Sequence, residues 1–174
     1  MQDTGFVVPV GKRARVAEMT STDAEGKLVS SPVTPKRFPS GAGGLYSTAA
    51  DYARFCQMLL DGGTLEGATI LGRKTVDLMM LNHLTHVDPP VYQPGGAEGF
   101  GLGGYVVLDP AARGRPGSAG QFGWLGSAST YFTIDRQERL TAILMMQHVP
   151  QRLPRDPPKI SGPFYTLVYQ ALLN

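Results

Sequence analysis

Apolar residues recur with a helical period just after residue 48, on one face of an amphipathic segment. The apolar positions of this face are Tyr52, Phe55, Cys56, Leu59 and Leu60. Thr48 and Asp51 stand ahead of them in the spacing of a capping box, and Gly62-Gly63 follows as a left-handed stop. The pattern predicts one helix between these two signals, with Cys56 as a buried structural thiol.

Two further segments have helical spacing. The first predicts a helix from about Gly72 to Leu84, with Val76, Met79 and Met80 toward the core, followed by a loop from Thr85 to Glu98. The second follows a proline-rich connection, Pro150 to Pro158, and predicts a C-terminal helix. The apolar positions of that last helix are Phe164, Leu167, Val168, Ala171 and Leu172.

Between these helices the pattern changes to β-rich runs. Gly99 to Leu108 predicts one strand that ends at Asp109-Pro110. Ser127 to Ile134 and Leu140 to Gln147 predict an antiparallel hairpin across a polar turn. Residues 1–40 are expected to form loops and extended segments, with one short strand pair around Arg15 to Val29.

These elements predict an α+β domain in which an antiparallel β-sheet packs with helices. A chain of 174 residues fits a single domain, and 22 glycines with 14 prolines indicate many turns and loops. We expect residues 1–98 to form loops and the helical part, and residues 99–174 to form the sheet hairpin and C-terminal helix.

Composition excludes few function classes. The net charge of +2 gives no case for a nucleic-acid partner, and Lys12, Arg13 and Arg15 are expected on a solvated surface. No apolar run is long enough for a membrane span, so we expect a soluble protein. A single cysteine cannot form an internal disulfide and leaves the compartment open between cytoplasm and periplasm.

Several segments occur in an order that resembles the C-terminal portion of the serine β-lactamase-like family, which contains class C β-lactamases, esterases and penicillin-binding-protein-like hydrolases. The segments are Met1-Gln-Asp-Thr-Gly-Phe, Gly43-Gly-Leu-Tyr-Ser-Thr-Ala-Ala-Asp51, Leu59-Leu-Asp-Gly-Gly63, Gly99-Phe-Gly-Leu-Gly103 and the hairpin Gly120–Gln147. The resemblance implies a partial β-lactamase/transpeptidase-like fold, with Met1 in the middle of an intact enzyme.

The resemblance also implies a site. The third motif of the family, which takes forms such as Lys-Thr-Gly or Trp-Gly-Gly, matches Trp124, Leu125 and Gly126 as substrate-binding residues. Leu125 departs from the pattern, which puts recognition of a β-lactam carboxylate in doubt and suits an apolar ester better. Ser127 follows the motif, and its backbone N–H is the implied oxyanion-hole donor. Without the resemblance, Gly120, Gly123 and Gly126 would be taken as residues that relieve crowding or bend the strand.

The family attacks with a Ser-x-x-Lys serine assisted by Tyr-x-Asn or Ser-x-Asn, and neither pattern occurs in these 174 residues. The resemblance therefore implies the C-terminal part of a serine hydrolase that acts on small-molecule esters or amides without metal or cofactor. The isolated chain is expected to be inactive and to pair with a missing N-terminal half or with itself. The alternative is a non-catalytic binding or interaction module derived from the same fold.

Other candidate chemistry is weaker. Ser127 or Ser129 could act as a nucleophile only with a base nearby, and His148 is more simply an exposed or loop-stabilising residue at a strand end. His83 and His86 are three residues apart, but a helix-terminal polar cluster explains them better than a metal site. Tyr46 and Tyr131 are expected to be packing groups.

Overall fold

The computed structural model describes residues 1–32, 38–92 and 96–173. The parts of the expected loops at residues 33–37 and 93–95, and residue 174, lie outside the described residues. The helices are α1 (Ala49–Leu60), α2 (Arg73–Met79), α3 (Pro110–Arg113) and α4 (Ser161–Gln170), with a 3₁₀ helix at Val10–Arg15. The strands are β1 (Thr20–Thr22), β2 (Leu28–Ser30), β3 (Thr64–Leu65), β4 (Ala68–Thr69), β5 (Glu98–Phe100), β6 (Tyr105–Val107), β7 (Phe122–Leu125), β8 (Tyr131–Asp135) and β9 (Leu140–Leu144).

The main sheet has five antiparallel strands in the order β5-β6-β7-β8-β9. The sequence predicted three strands here. The first run, Gly99 to Leu108, forms two strands, and β7 lies before the predicted hairpin strands and was not predicted. In the first run, Gly101 donates its N–H to the carbonyl of Gly104 (2.8 Å), and Gly103 adopts a φ of +96°. The segment from Gly99 to Leu108 therefore folds back on itself as a hairpin. The predicted strand pair around Arg15 to Val29 is confirmed as β1 and β2.

Alternation along the strands gives the sheet two covered faces. Val106, Phe122, Phe132 and Ile134 join one core cluster together with residues of α1 and α2. The intervening residues form a second cluster with α4, whose buried members are Tyr105, Val107, Tyr131, Tyr165 and Tyr169. The sheet thus lies between α1 on one side and α4 on the other.

Helix α1 is confirmed with its sequence signals. Thr48 accepts a hydrogen bond from the Asp51 N–H through Oγ1 (3.2 Å), and Gly62 and Gly63 adopt positive φ after the helix. The Asp51 carboxylate accepts from the Asp3 N–H (2.7 Å) and the Thr4 hydroxyl (2.9 Å), which ties the N-terminal segment to the helix. Cys56 is fully buried, and burial raises the pKa of its thiol to about 12, as suits a structural cysteine.

Helix α2 ends earlier than the sequence indicated. It stops at Met79, because the Asn82 side chain accepts hydrogen bonds from the backbone N–H groups of Leu84 (3.0 Å) and Phe100 (3.1 Å). A short amide side chain that binds nearby backbone competes with helix continuation. Val76 and Met80 are buried as expected.

Helix α4 exists where predicted but presents a different face. Tyr165 and Tyr169 are buried, whereas Leu167 is 64% exposed and Leu172 is 42% exposed. The tyrosines face the sheet because their hydroxyls meet buried polar groups there: Tyr169 donates to Asp135 (2.7 Å), and Tyr165 donates to Gln121 (2.8 Å). An apolar pattern alone does not reveal that preference.

The basic cluster near the N-terminus is only partly a solvated surface. Lys12 forms an ion pair with Asp3, and the Arg15 guanidinium lies 2.9 Å from the same carboxylate. Among the described residues, none of the helices is both long and apolar enough to cross a membrane.

Candidate functional site

The candidate site is a tight turn, residues 126–130, that joins β7 to β8. Gly126 donates its N–H to the Thr130 carbonyl (2.9 Å), and Ser129 donates its N–H to the Gly126 carbonyl (3.0 Å) while adopting a φ of +67°. The predicted strand from Ser127 to Ile134 is therefore wrong at its start. Ser127 lies in this turn, and the strand begins at Tyr131.

The glycines around the turn have local structural reasons. A Cβ on Gly126 would collide with the Thr130 hydroxyl, and a Cβ on Gly123 would lie 2.6 Å from the Tyr105 hydroxyl and collide with the Phe132 carbonyl. Gly120 adopts a φ of +84°, which an ordinary side chain disfavours. Crowding and turn geometry thus account for all three glycines, and a substrate contact is an additional hypothesis for Gly126.

The four residues predicted from the motif all line one cavity of about 720 Å³. Leu125 is 47% exposed, Gly126 and Ser127 are exposed, and Trp124 is partly buried. The walls opposite the turn include Tyr46, Tyr52 and Met145. A mostly apolar hollow with a few polar groups is the usual character of a small-molecule site.

The Ser127 N–H is free to bind a ligand. Within the part of the chain that the structure describes, neither this N–H nor the adjacent Ala128 N–H makes a hydrogen bond, whereas the N–H groups of Gly126 and Ser129 do. An exposed, unpaired backbone N–H on a rigid turn is the kind of donor that holds a developing oxyanion.

Trp124 belongs to an aromatic group near the end of the central strand β7. Its ring packs edge-to-face with Phe100 (centroids 5.1 Å apart) and Tyr92 (5.5 Å). These offset contacts fix the orientation of the indole where it meets the cavity. The site wall is therefore apolar and well packed next to the turn.

Two of the tyrosines that line the cavity, Tyr52 and Tyr131, are protonated phenols rather than bases. Burial raises the pKa of Tyr52 to about 12, and burial also raises the pKa of Tyr131, whose hydroxyl lies 3.0 Å from that of Tyr105. Both phenols are therefore neutral near pH 7. They can donate or accept a hydrogen bond, but they are poor acceptors of a proton from a nucleophile.

The alternative nucleophiles do not meet a base. The Ser129 hydroxyl donates to the His148 backbone carbonyl (2.9 Å), while the His148 ring nitrogens face Thr20 and Asp156. His148 is 8% exposed, so of its two expected roles the exposed one is wrong, whereas its bond to the Ser129 hydroxyl in the turn fits the loop-stabilising one. His83 places its Nε2 2.8 Å from the Leu78 carbonyl, and the described residues contain no group of three possible metal ligands.

Sequence reasoning missed much of the cavity wall. Met19 from the segment before β1, and Met145 and Gln147 beyond β9, line it together with the loop 42–47. Only the glycines of that loop marked it as unusual. A second cavity, of about 660 Å³, shares five of these lining residues and extends toward the N-terminal segment. The shared residues are Met19, Tyr46, Ser47, Met145 and Gln147.

Comparison with solved structures identifies the fold. A mutant of simvastatin synthase (LovD) from Aspergillus terreus is 23% identical, with a TM-score of 0.71 over 97% of this chain and 46% of that one. EstCE1, described as a hydrolase with promiscuous acyltransferase activity, is 20% identical with a TM-score of 0.67. A penicillin-binding protein homologue from Caulobacter crescentus is 19% identical with a TM-score of 0.64. The fold is of the β-lactamase/transpeptidase type, and the chain covers 45% of EstCE1 and 48% of the Caulobacter protein.

Comparison of sequences gives a nearer relative. Protein Rv1367c of Mycobacterium tuberculosis is 38% identical, and the match covers 86% of this chain. The chain spans about 40% of the length of that relative. The family model described as Beta-lactamase matches residues 1–161. This chain therefore belongs to the Beta-lactamase family, and it carries part of the hydrolase and acyltransferase fold of that family.

Proposed function

We propose that this chain forms the oxyanion-side wall of a serine hydrolase or acyltransferase site that acts on ester or amide carbonyls. The observation that carries the proposal is the unpaired Ser127 N–H, held on a rigid turn at the edge of a 720 Å³ cavity. Trp124 and Leu125 give that wall an apolar surface for the acyl or alcohol part of a substrate. The exposed Leu125 favours an uncharged ester over a β-lactam, whose carboxylate would need a polar partner.

In this proposal the nucleophile comes from sequence outside these 174 residues. A Ser-x-x-Lys serine would attack the carbonyl carbon, its proton would pass through lysine to the leaving group, and water or an alcohol would then release the acyl group. Negative charge on the carbonyl oxygen during both steps would be held by the Ser127 N–H. A preorganised donor of this kind costs no reorganisation when the charge develops.

The test removes the backbone N–H of residue 127 while the turn 126–130 keeps its length. Ser127→Pro lacks the N–H, and Ser127 is not among the residues with positive φ, which proline cannot adopt. Ser127→Ala keeps the N–H and is the matched control. Each variant would be joined to the part of Protein Rv1367c that this chain does not match, and hydrolysis of a 4-nitrophenyl ester would be measured.

We expect kcat to fall by about 10²–10³ in Ser127→Pro, as on loss of an oxyanion donor elsewhere, and to change little in Ser127→Ala. Circular dichroism of both variants checks that the fold is retained. Equal turnover in the folded proline variant and the parent would refute the role of Ser127.

A binding or interaction module is the second candidate, favoured by the absence of Ser-x-x-Lys from the chain. A fluorophosphonate probe, which labels activated serines, shows whether the nucleophile lies in this chain or in the added segment. The proposal expects no labelling of this chain alone, and labelling of a serine in the added segment after joining. Labelling of Ser127 or Ser129 in the isolated chain would move the nucleophile into this half. Absence of labelling and turnover after correct joining would leave the binding module.

The open side of β9 is the proposed docking edge for the missing part. In the described residues β9 pairs with β8 alone, and both faces of the strand are covered by helices. Thr20 already bonds to the backbone of Gln147 and Val149 just beyond β9, so the open stretch is β9 itself. An edge strand presents unpaired backbone N–H and C=O groups to a further strand. We infer that the strand is supplied by the N-terminal half, with a second copy of this chain as substitute.

A further inference from the structure

His148 is fastened to the candidate turn through its backbone. Its N–H donates to the Ala128 carbonyl (3.1 Å), and its carbonyl accepts from the Ser129 hydroxyl (2.9 Å). These two bonds connect the backbone of His148 to Ala128 and Ser129, the two residues that follow Ser127. The position of the turn therefore depends on the position of His148.

The His148 ring lies among buried polar groups. Its Nδ1 lies 3.3 Å from the Thr20 hydroxyl and its Nε2 lies 4.0 Å from an Asp156 oxygen, and both side chains of the His148–Asp156 pair are 10% exposed. Within the described residues, His148 Nε2, Asp156 Oδ1 and Thr22 Oγ1 are buried without a hydrogen-bond partner. Three such atoms in one place are uncommon, because an unpaired buried polar group is costly.

Asp156 is itself anchored to its own segment. Its second oxygen accepts from the Leu153 N–H (3.0 Å), so the carboxylate has a defined orientation in the proline-rich connection before α4. The Thr22 hydroxyl lies outside hydrogen-bond geometry but is the largest influence that lowers the pKa of Asp156, followed by burial, which opposes it. The carboxylate is therefore charged near pH 7 and faces the imidazole as an acceptor.

The donors and acceptors around the His148 ring indicate which of its nitrogens carries hydrogen. The Thr20 hydroxyl lies 3.0 Å from the Gln147 carbonyl and has one proton to give, either to that carbonyl or to Nδ1. A ring with a bare Nε2 would set a lone pair against the Asp156 carboxylate. Nε2 is therefore the ring nitrogen expected to carry a hydrogen.

We propose that His148 is a positioning residue for the turn 126–130: its ring, held between Thr20 and Asp156, keeps its backbone where it clamps Ala128 and Ser129. The Ser127 N–H is thereby set toward the cavity. The assignment rests on the proposed function only in the role it gives to Ser127. The clamp itself is a property of the folded chain.

The test uses the isotope-labelled chain and needs no catalysis. His148→Gln keeps a polar amide near the position of Nε2, whereas His148→Phe keeps the ring volume and removes both polar contacts. His86→Gln, at an exposed histidine, is the matched control. The readouts are the nitrogen-15 spectrum of the ring, and amide exchange of Ser129 and residue 148 relative to Thr133 and Ile134 in β8.

We expect hydrogen on His148 Nε2 and, in His148→Phe, turn amides that exchange about tenfold faster relative to β8. His148→Gln and His86→Gln should leave that ratio unchanged. Asp156→Ala, which retains the ring, should loosen the turn as the phenylalanine does, and it replaces that variant if the latter fails to fold. An Nε2 without hydrogen in the nitrogen-15 spectrum overturns the proposal. So does a ratio of turn to β8 exchange rates that stays the same in every variant. A rigid turn combined with full turnover in Ser127→Pro would instead count against the proposed function alone.

Discussion

At the scale of single residues, glycine is required where two strands and a large side chain meet. Gly123 lies opposite Thr133 in the sheet, with the Tyr105 hydroxyl above it. Gly126 passes beneath the Thr130 hydroxyl. Neighbouring residues leave no room for a side chain at these positions. Packing is therefore sufficient to explain the glycines, without a contact to substrate.

Gly123→Ala should therefore destabilise the chain. The added methyl group meets backbone on one side and a buried phenol on the other, and we expect a loss of about 2 kcal/mol in the free energy of unfolding. Gly11→Ala is the control, because a Cβ there meets nothing within 4 Å, and its effect should stay below about 1 kcal/mol. Urea titration measures both, and similar midpoints for the two variants would contradict the crowding argument.

The candidate site could be predicted from the sequence only in part. The segment from Trp124 to Ser127 was identified by its resemblance to a motif, and the structure brings those four residues to one cavity. The partners of the turn could not be identified in this way. His148 lies about twenty residues further on, and its backbone contacts with Ala128 and Ser129 leave no trace in the spacing of side-chain types.

At the scale of elements, helices were predicted better than strands. Helix α1 has a cap, an apolar face and a glycine stop, and these local signals agree with its packing. The turn between β7 and β8 carries no comparable mark at its left-handed position, since the residue with positive φ there is Ser129 and not a glycine. The boundary between β7 and β8 is decided by hydrogen bonds across the turn, which are tertiary information.

Helix α2 is joined to the β8–β9 hairpin by an ion pair. Asp77 lies 2.8 Å from the guanidinium of Arg136, and this contact is the main reason that the pKa of Asp77 is lowered. A carboxylate with a lowered pKa in the folded state stabilises the protein above its unfolded pKa near 4, and that contribution is lost as the pH falls through the folded value.

A double-mutant cycle with Asp77→Asn and Arg136→Gln should therefore give a favourable coupling at about pH 6 that vanishes at about pH 2. Thermal unfolding of the four proteins provides the values. The same cycle on Asp61 and Arg139, which are 3.5 Å apart and more exposed, should give a smaller coupling at about pH 6. A coupling between Asp77 and Arg136 that does not depend on pH would show that the contact is not ionic.

At the scale of the whole molecule, the chain is a well-packed body with one unfinished border. Both faces of the main sheet are covered, yet the sheet ends at β9 with no further strand among the described residues. The chain also spans about 40% of its Mycobacterium relative. These two facts together make association the expected behaviour of the chain on its own.

Sedimentation of the isolated chain should show dimers or larger species whose population grows with concentration, because an uncovered edge recruits another edge. Joining the chain to the unmatched part of Protein Rv1367c should restore a single species of the expected mass. The control is the joined protein carrying Ser127→Ala, which leaves β9 unchanged. A monomer at every concentration, with a sharp thermal transition, would show that the β9 edge needs no partner.

Trp124 is the single tryptophan of the chain, and it stands at the rim of the hollow that the motif residues line. Tryptophan fluorescence that is excited selectively therefore comes from one known position, next to the rings of Tyr92 and Phe100 and beside the cavity. Under the proposed function, an ester that entered the cavity would displace water and change the polarity around that ring. The protein thus contains its own fluorescent reporter of occupancy, and ligands can be ranked by emission colour without any turnover.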